Sequence, residues 1–388
     1  NYVPEAVELP LEPERINALL GTDISRADMV EYLRREEIAV EGDMIKVPSW
    51  RPDLRCMADI AEEVARYYGY NRIPTTLMRG ATTLGGYTEA EALENRACAA
   101  ARSLGYSEII TYSFVSPTVF DSIRLPQDTP LRNAIRIINP LGEDTSIMRT
   151  VILPSMLDIL ARNYAYKNKG VKLYEMGRIY LPVEGQDLPN EPKRLIFGTY
   201  GEHEDFYSMK GEIDALLCAL NMPAATYVQT ASNPSYHPGR CAELRIGGEC
   251  VGVLGQIHPL VAENYGIGTQ VYVAELDFAK LSALELPERV FHALPKVPAV
   301  TRDLALVCDE AVTVGALEAC ITAAAGKLLR RIDLFDIYRG AGVGEGKKSV
   351  AFSLELRADD RTLTDEDSVG VVNKVLAALE KELNVKLR

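Results

Sequence analysis

The sequence predicts a multidomain α+β protein, because its length, its composition and the order of its predicted elements agree on that fold class. The chain holds 388 residues, and domains of about 100–200 residues are usual, so we expect more than one core. Hydrophobic residues make up 47% and charged residues 25%, as in folded domains. Helices and a hairpin open the chain, strands mixed with helices follow, and a βαββαβ order closes it.

The first predicted domain, residues 1–75, has the element order of a winged-helix-like module. A first helix ends at Gly21, and Ser25 is a suitable N-cap for a second helix. A hairpin then turns at residues 41–43, and a third helix runs from Met57 to Tyr68. We therefore expect the order helix, helix, hairpin, helix.

The middle of the chain predicts a linker followed by a domain of antiparallel strands and helices. Residues 76–88 are rich in Thr and Gly and lack an apolar period, which indicates the linker. The domain covers residues 89–290. Its clearest predicted elements are a helix over 89–104, a strand over 107–116, strands over 171–181 and 194–201, and a helix over 210–220.

The last predicted domain, residues 293–388, has the clearest pattern in the sequence. Its order of strand, helix, two strands, helix and strand is that of a ferredoxin-like βαββαβ fold. Thr364 has Asp367 three residues later, which is a capping-box-like start for the second helix of this domain.

Four acidic residues near the third helix could hold a metal ion. Asp59, Glu62 and Glu63 lie at i, i+3 and i+4, so they project from one side of the helix. Asp53 follows a rigid Arg-Pro step and could reach the same point. Because like charges at this spacing repel, a positive partner should compensate them, and a hard cation such as Mg²⁺ prefers oxygen ligands.

The same spacing also fits an ordinary solvated helix face. Arg51, Arg55 and Arg66 are close in sequence and could pair with the acids, and Glu62 to Arg66 is a good i,i+4 pair. Spacing alone therefore leaves the metal site and the ion-paired face both open.

Several motifs resemble one protein family in the same order along the chain. The segment RPDLRCMADIAEEVARYYGYNRIP, residues 51–74, resembles the B5 domain of the β subunit of bacterial-type phenylalanyl-tRNA synthetases. The segments NPLGEDTSIMRTVILPSMLDILARN and KLYEMGRIY, within residues 139–180, are similar to its middle domain, a relative of class II synthetase cores. The segment ALPKVPAVTRDLALVCDE, residues 293–310, resembles the start of its FDX-ACB module.

The resemblance implies a function for each predicted domain. In the B5 domain, Asp53, Asp59, Glu62 and Glu63 would bind Mg²⁺ at a site shared with the α subunit. The FDX-ACB module would contact the anticodon side of tRNA(Phe). The whole enzyme would be an α2β2 phenylalanine–tRNA ligase in the cytoplasm, in which the α subunit uses ATP and performs the chemistry.

The middle domain lacks the catalytic motifs of class II synthetases. Such sites need an arginine on the motif-2 strand and a Gly-rich motif 3 that ends in Glu-Arg, since adenylate formation requires stabilised negative charge. Here the strand reads YEMGR, which ends at Arg178, and no such motif 3 follows. The loop HPGR, residues 237–240, is more typical of a structural turn than of a phosphate site. We therefore predict no catalytic residues and an inactive isolated chain.

Charge limits where nucleic acid could bind. The net charge is −13, which disfavours RNA binding over the whole surface. Residues 295–388 are nearly neutral, with 14 basic and 15 acidic residues, so a local patch there is the best candidate. The residues that could contact RNA in this region are Arg302, Arg330, Arg331, Phe335, Tyr338, Arg339, Lys347 and Lys348. An ordinary sheet with solvated charges is the alternative.

Other function classes fit less well. A stand-alone DNA-binding protein would need a basic recognition helix, but residues 57–69 are acidic, so we expect no DNA binding. A scaffold derived from a synthetase subunit stays open. No membrane span, secretory signal or zinc-type Cys and His spacing is visible, so we expect neither membrane nor zinc binding. The N-terminal OB module and editing domain of the family do not fit here, and we expect no editing activity.

Overall fold

The computed structural model describes residues 6–291, 293–340 and 342–388. They form two compact units, and the boundary falls between Ala92 and Leu93. Residues 1–5 of the first predicted domain and residue 341 of the last lie outside the described residues. Within the described ranges, no helix is both long enough and apolar enough to cross a membrane.

The first unit packs its helices on a small antiparallel sheet of order β1-β3-β2. Its elements in chain order are β1 (Val7–Pro10), α1 (Pro13–Leu20), α2 (Arg26–Arg35), β2 (Ala39–Glu41), β3 (Met44–Val47) and α3 (Met57–Tyr68). Ile16 of α1, Leu33 of α2 and Ile60 of α3 form its core and are at most 1% exposed. The predicted order of helices and hairpin is confirmed.

Strand β1 is an addition to the predicted order. Its four residues end in proline and carry too short a pattern to be recognised alone. Pairing defines it, because Val7 lies opposite Val47 of β3. The ends of α1 and α2 follow the predicted signals, since Gly21 adopts the left-handed conformation and the Ser25 hydroxyl accepts the N–H of Asp28.

The middle part of the second unit is built on one large sheet of order β4-β7-β8-β12-β11-β10-β9. The pairs are antiparallel except for β4 with β7. Its elements are α4 (Glu89–Ser103), β4 (Ser107–Glu108), β5 (Phe114–Val115), α5 (Val119–Ser122), β6 (Ile147–Met148), α6 (Leu153–Ala165), β7 (Val171–Arg178), β8 (Lys193–Tyr200), α7 (Phe206–Ala219), β9 (Thr226–Gln229), β10 (Tyr236–Ile246), β11 (Glu249–Ile257), α8 (Pro259–Asn264), β12 (Tyr272–Asp277) and α9 (Phe278–Ser282).

Both faces of this sheet are covered by helices. Phe197 of β8 faces a core formed with α4, α7 and α9, whereas its neighbour Ile196 faces a core formed with α6 and α8. Successive strand residues point to opposite faces, so a strand buried on both sides reads as a continuous apolar run. This explains the pattern of residues 194–201, where the predicted strand is confirmed.

Two predicted elements of this domain differ from the structure. The strand predicted over 107–116 is interrupted, and only its two ends pair, with β5 joining β6 instead of the large sheet. The HPGR segment, residues 237–240, is not a turn but lies inside β10. Pro238 has no N–H to donate, so the pairing with β11 shifts register between Tyr236 and Cys241 while the strand continues.

The end of the second unit confirms the ferredoxin-like prediction. Its elements are β13 (Val300–Asp309), α10 (Val314–Ala325), β14 (Leu329–Tyr338), β15 (Lys347–Leu356), α11 (Asp365–Leu383) and β16 (Lys386–Leu387), with sheet order β14-β15-β13-β16. The predicted capping box is also confirmed. The Thr364 hydroxyl accepts the N–H of Asp367, and the Asp367 carboxylate accepts the N–H of Thr364.

Candidate functional site

The acidic side of α3 is divided between a helix cap and an ion-pair network. Asp59 lies in the first turn of α3 and accepts the N–H groups of Arg55 at 2.7 Å and Cys56 at 2.9 Å through one carboxylate oxygen. These backbone donors lower the pKa of Asp59, so it is ionised at neutral pH. Glu62 is exposed, whereas Glu63 is buried among the neighbouring elements.

Two arginines hold the acids around Glu63. Arg51 donates to Asp53 at 2.7 Å, to Glu36 at 3.1 Å and also to Glu63. Arg66 pairs with Glu63 at 2.5 Å and with Glu36. The network therefore carries three carboxylates against two guanidinium groups and keeps one net negative charge. The pairing with Arg51 lowers the pKa of Asp53.

Glu36 is a member of this network that sequence reasoning missed. It lies just past the end of α2 in the run RREE, which looks like a solvated helix end. Its side chain is only 6% exposed, because α2 packs against α3 and directs it towards Arg51 and Arg66. No local signal in the sequence marks this burial, since it depends on how two helices meet.

The four predicted metal ligands do not converge on one point in this arrangement. Within residues 6–291, 293–340 and 342–388, no three His, Cys, Asp or Glu side chains form a group arranged to hold a metal ion. Asp53 lies near enough to Asp59 for its charge to oppose the lowering of the Asp59 pKa. Arg51 pairs with Asp53, and Arg66 pairs with Glu63. Both ion pairs are of the kind that the ion-paired helix face predicts.

The middle sheet carries a buried polar network around Arg149. Arg149 and Glu175 are 2% and 3% exposed and pair at 3.0 Å. Arg149 also donates to the Arg178 carbonyl at 2.8 Å and to the Thr111 hydroxyl, which in turn donates to Glu175 at 2.7 Å. The sequence does not predict this closed network, because Thr111 and Arg149 lie far from Glu175 along the chain.

The two basic residues of the HPGR segment, His237 and Arg240, each have a hydrogen-bond partner. Arg240 donates to Gln256 at 2.6 Å, and His237 accepts the N–H of Gly239 at 3.0 Å. The Arg178 side chain is exposed and donates to the carbonyl of Glu191 at 3.1 Å. The three basic side chains therefore have separate partners.

The candidate RNA surface lies along β14, at an edge of the ferredoxin-like sheet. Phe335 and Tyr338 are 59% and 41% exposed. Several of the predicted basic residues have acidic partners, namely Arg302 with Asp365, Arg330 with Asp359, Arg331 with Asp333 and Arg339 with Glu310. Lys348 is buried and donates to a backbone carbonyl. Arg388, which was not predicted, lies over the Tyr338 ring at 5.3 Å.

Three family descriptions match consecutive parts of the chain. The tRNA synthetase B5 domain matches residues 9–70, the phenylalanyl tRNA synthetase beta chain CLM domain matches residues 73–278, and the ferredoxin-fold anticodon binding domain matches residues 295–388. A pyrrolysyl-tRNA synthetase from Desulfitobacterium hafniense aligns with a TM-score of 0.42 at 14% identity, over 66% of this chain and 88% of that chain. That likeness is too weak to support an argument.

Curated relatives carry the name phenylalanine–tRNA ligase beta subunit. The protein from Clostridium tetani is 43% identical over 98% of this chain and 48% of its own length. Those from Clostridium acetobutylicum and Bacillus subtilis are 41% and 35% identical over 96% and 99% of this chain, and 48% and 49% of their own lengths. The chain thus spans about half the length of these relatives. The resemblance seen in the motifs is confirmed, and the chain belongs to the phenylalanyl-tRNA synthetase β-chain family.

Proposed function

We propose that this chain supplies subunit assembly and tRNA binding to a phenylalanine–tRNA ligase and contributes no catalytic residue. The order of the three matched domains over nearly the whole chain supports this proposal. Under this proposal, residues 1–75 form the B5 domain and residues 76–88 form a linker. Residues 89–290 form a non-catalytic core-like domain, and residues 293–388 form the anticodon-binding domain. The α subunit of an α2β2 enzyme would use ATP and phenylalanine, in the cytoplasm.

An apolar surface of the middle domain is our candidate surface for the α subunit. Ile110 and Tyr112, between β4 and β5, and Phe114, at the start of β5, are 91%, 83% and 46% exposed. Ile138 and Leu141 lie on the adjoining loop and are completely exposed. Monomeric proteins rarely expose so many large apolar side chains together. A subunit of a two-subunit ligase requires such a face, so we assign it to the α subunit.

Co-elution with a phenylalanine-specific α subunit tests this assignment. We expect the chain to co-elute with that subunit in size-exclusion chromatography. Replacing Ile110 and Tyr112 together by Ser should weaken the complex about tenfold or more, since two large apolar anchors are lost. Leu260→Ser, at another exposed apolar position of the same unit, is the matched control. Failure of the parent chain to co-elute would favour the scaffold alternative over the ligase.

We propose that β14 contacts the anticodon side of tRNA(Phe). The exposed ring of Phe335 can stack on an unpaired base. The neighbouring arginines can neutralise phosphates if they release the acidic side chains with which they now pair. Phe335→Ala should weaken tRNA(Phe) binding by about 1–3 kcal/mol in a filter-binding assay at fixed salt. Val369→Ala, at an exposed apolar position on α11 of the same module, should leave binding unchanged. Equal effects of both changes would contradict the proposal.

We propose that Asp53, Asp59, Glu62 and Glu63 hold Mg²⁺ in the assembled enzyme. The lowered pKa values of Asp53 and Asp59 and the net negative charge around Glu63 support this fit. Arg51 opposes it, because the ion would have to share Asp53 and Glu63 with that guanidinium. When bound, the ion would supply positive charge that joins these carboxylates to ligands from the partner.

A charge-removing variant that preserves the helix cap tests the metal proposal. Asp59→Asn keeps an acceptor for the N–H groups of Arg55 and Cys56 but removes the carboxylate charge. We expect it to raise the Mg²⁺ concentration needed for assembly with the α subunit. Glu14→Gln, an exposed acid on α1, should not change that concentration. An unaltered Mg²⁺ titration for Asp59→Asn would remove the metal from the proposal.

A further inference from the structure

A cavity of about 320 Å³ lies on the face of the large sheet that packs against α6. The strand register identifies the side chains that face it. Glu275 of β12 lies opposite Val253 of β11, which lies opposite Glu243 of β10. Directly opposed residues share a face, and neighbouring strands are about 4.8 Å apart, so two carboxylates line this cavity two strands from each other.

The charges around the cavity do not balance. The Arg194 guanidinium serves two carboxylates, with 2.5 Å to Asp277 and 3.7 Å to Glu275. Arg149 also acts on Glu275, but its charge is already paired with Glu175 at 3.0 Å. Glu243 has its own partner in Arg245 at 2.6 Å. Three carboxylates, those of Glu243, Glu275 and Asp277, therefore face two guanidinium groups, those of Arg194 and Arg245, which leaves one net negative charge. Burial raises the pKa of Glu275, as expected for a carboxylate that has only part of a counter-charge.

Tyr236, which lines this cavity, carries a buried hydroxyl that has no hydrogen-bond partner among the described residues. The residue is 2% exposed. Buried polar groups are nearly always paired, so an orphaned hydroxyl calls for a specific explanation. Burial and the charge of Glu275 raise the pKa of Tyr236, so the hydroxyl stays protonated and can both donate and accept.

Part of the cavity lining is apolar, through the side chains of Ile123, Leu125, Leu131, Val151 and Leu153, and part carries the uncharged polar side chains of Thr230, Ser232, Asn233 and Ser235. A ligand that suits the surplus carboxylate and the apolar lining needs a positively charged donor at one end and a hydrocarbon body at the other. We propose that this cavity binds a small primary ammonium ion with a short apolar body, with its nitrogen at the Glu275 carboxylate.

Three probes with related branched bodies and different heads test the proposal on the full chain. Isoamylamine, isoamyl alcohol and 4-methylpentanoate present a cation, a neutral hydroxyl and an anion, respectively. We expect saturation-transfer NMR at pH 7 to detect binding of the amine, with the alcohol and the carboxylate at least about tenfold weaker, which corresponds to 1.4 kcal/mol. Equal binding of the three probes, or no binding of the amine, would overturn the proposal.

Variants locate the ammonium within the cavity. Glu275→Gln should weaken amine binding about tenfold, because it removes the charge and keeps the shape, and Tyr236→Phe should weaken it less. Glu249→Gln, an exposed acid on the same β11 hairpin, is the control and should not alter binding. Thermal unfolding verifies that each variant folds. If Glu275→Gln is unstable, Val253→Met offers a second test, since the longer side chain extends into the cavity and should exclude the amine.

Amine binding that is the same in Glu275→Gln, Val253→Met and the parent chain would mean that the probe binds elsewhere. The measurement needs neither the α subunit nor tRNA. Its outcome is therefore independent of the proposed role in the ligase.

Discussion

Replacing Glu175 by Leu should be among the most destabilising single substitutions in the large sheet. Glu175 is 3% exposed and accepts hydrogen bonds from Arg149 at 3.0 Å and from Thr111 at 2.7 Å. Its loss leaves the Arg149 guanidinium, itself 2% exposed, as a buried charge with only neutral acceptors. Removing one partner of a buried ion pair costs about 3–5 kcal/mol, so we expect a loss of that size in the free energy of unfolding.

A double-mutant cycle separates the ion pair from the loss of side-chain shape. Arg149→Met combined with Glu175→Leu removes both charges, so the double variant should be less destabilised than the sum of the single variants by about 1–3 kcal/mol. Glu175→Gln should cost less than Glu175→Leu, since the amide oxygen can still accept from Thr111. Asp333→Asn is the control. Its pair with Arg331 is largely exposed, and exposed pairs contribute about 0–1 kcal/mol.

The assay must report on the large sheet by itself, because a chain of several domains need not unfold in one step. Native-state hydrogen exchange of the amides of Val171–Arg178 meets this requirement, since these groups pair with β8. Protection of these amides should fall by about two to three and a half orders of magnitude in Glu175→Leu, by the conversion of about 1.4 kcal/mol per tenfold. A loss below about tenfold, or strict additivity of the two single variants, would refute the argument from the buried pair.

Two further predictions concern backbone packing and pH. In a urea titration, Gly211→Ala should stabilise the chain by about 0.5–1 kcal/mol, because this position within α7 is exposed and an added Cβ meets nothing within 4 Å. In the same titration, Gly255→Ala should destabilise the chain by about 1–3 kcal/mol, because its Cβ would lie 2.5 Å from the Arg240 carbonyl oxygen. The same sign for both changes would contradict this packing argument. The Arg361 guanidinium, followed by the capping contacts, holds the pKa of Asp367 well below its usual range, so the stabilisation is present above about pH 4 and is lost as the pH falls towards the folded-state pKa. Asp367→Asn should therefore lower Tm at pH 7, and its difference from the parent chain should shrink steadily as the pH falls below about 4 towards the folded-state pKa. An equal difference at pH 7 and at about pH 2 would exclude this linkage.

Local signals predicted most of the helices and the closing fold. Met57–Tyr68 was predicted with the bounds it has, because an apolar stripe and a terminal Gly69 both act within a few residues. The ferredoxin-like order was readable because its strands and helices each carry their own period. The interruption of the strand predicted over 107–116 could not be predicted, because the alternating pattern is the same whether or not a neighbouring strand pairs with it.

The sequence by itself determined the family, the fold class and the acidic character of α3, because motifs, periodicity and charge are properties of neighbouring residues. Only the tertiary structure decided what the carboxylates contact. It joined Glu36 to Glu63 through Arg51 and Arg66, and it buried the Tyr236 hydroxyl near Glu275 with no hydrogen-bond partner in the part of the chain that the structure describes. These outcomes depend on which elements pack together, and residues far apart in the chain meet only when burial of the core brings their helices and strands into contact.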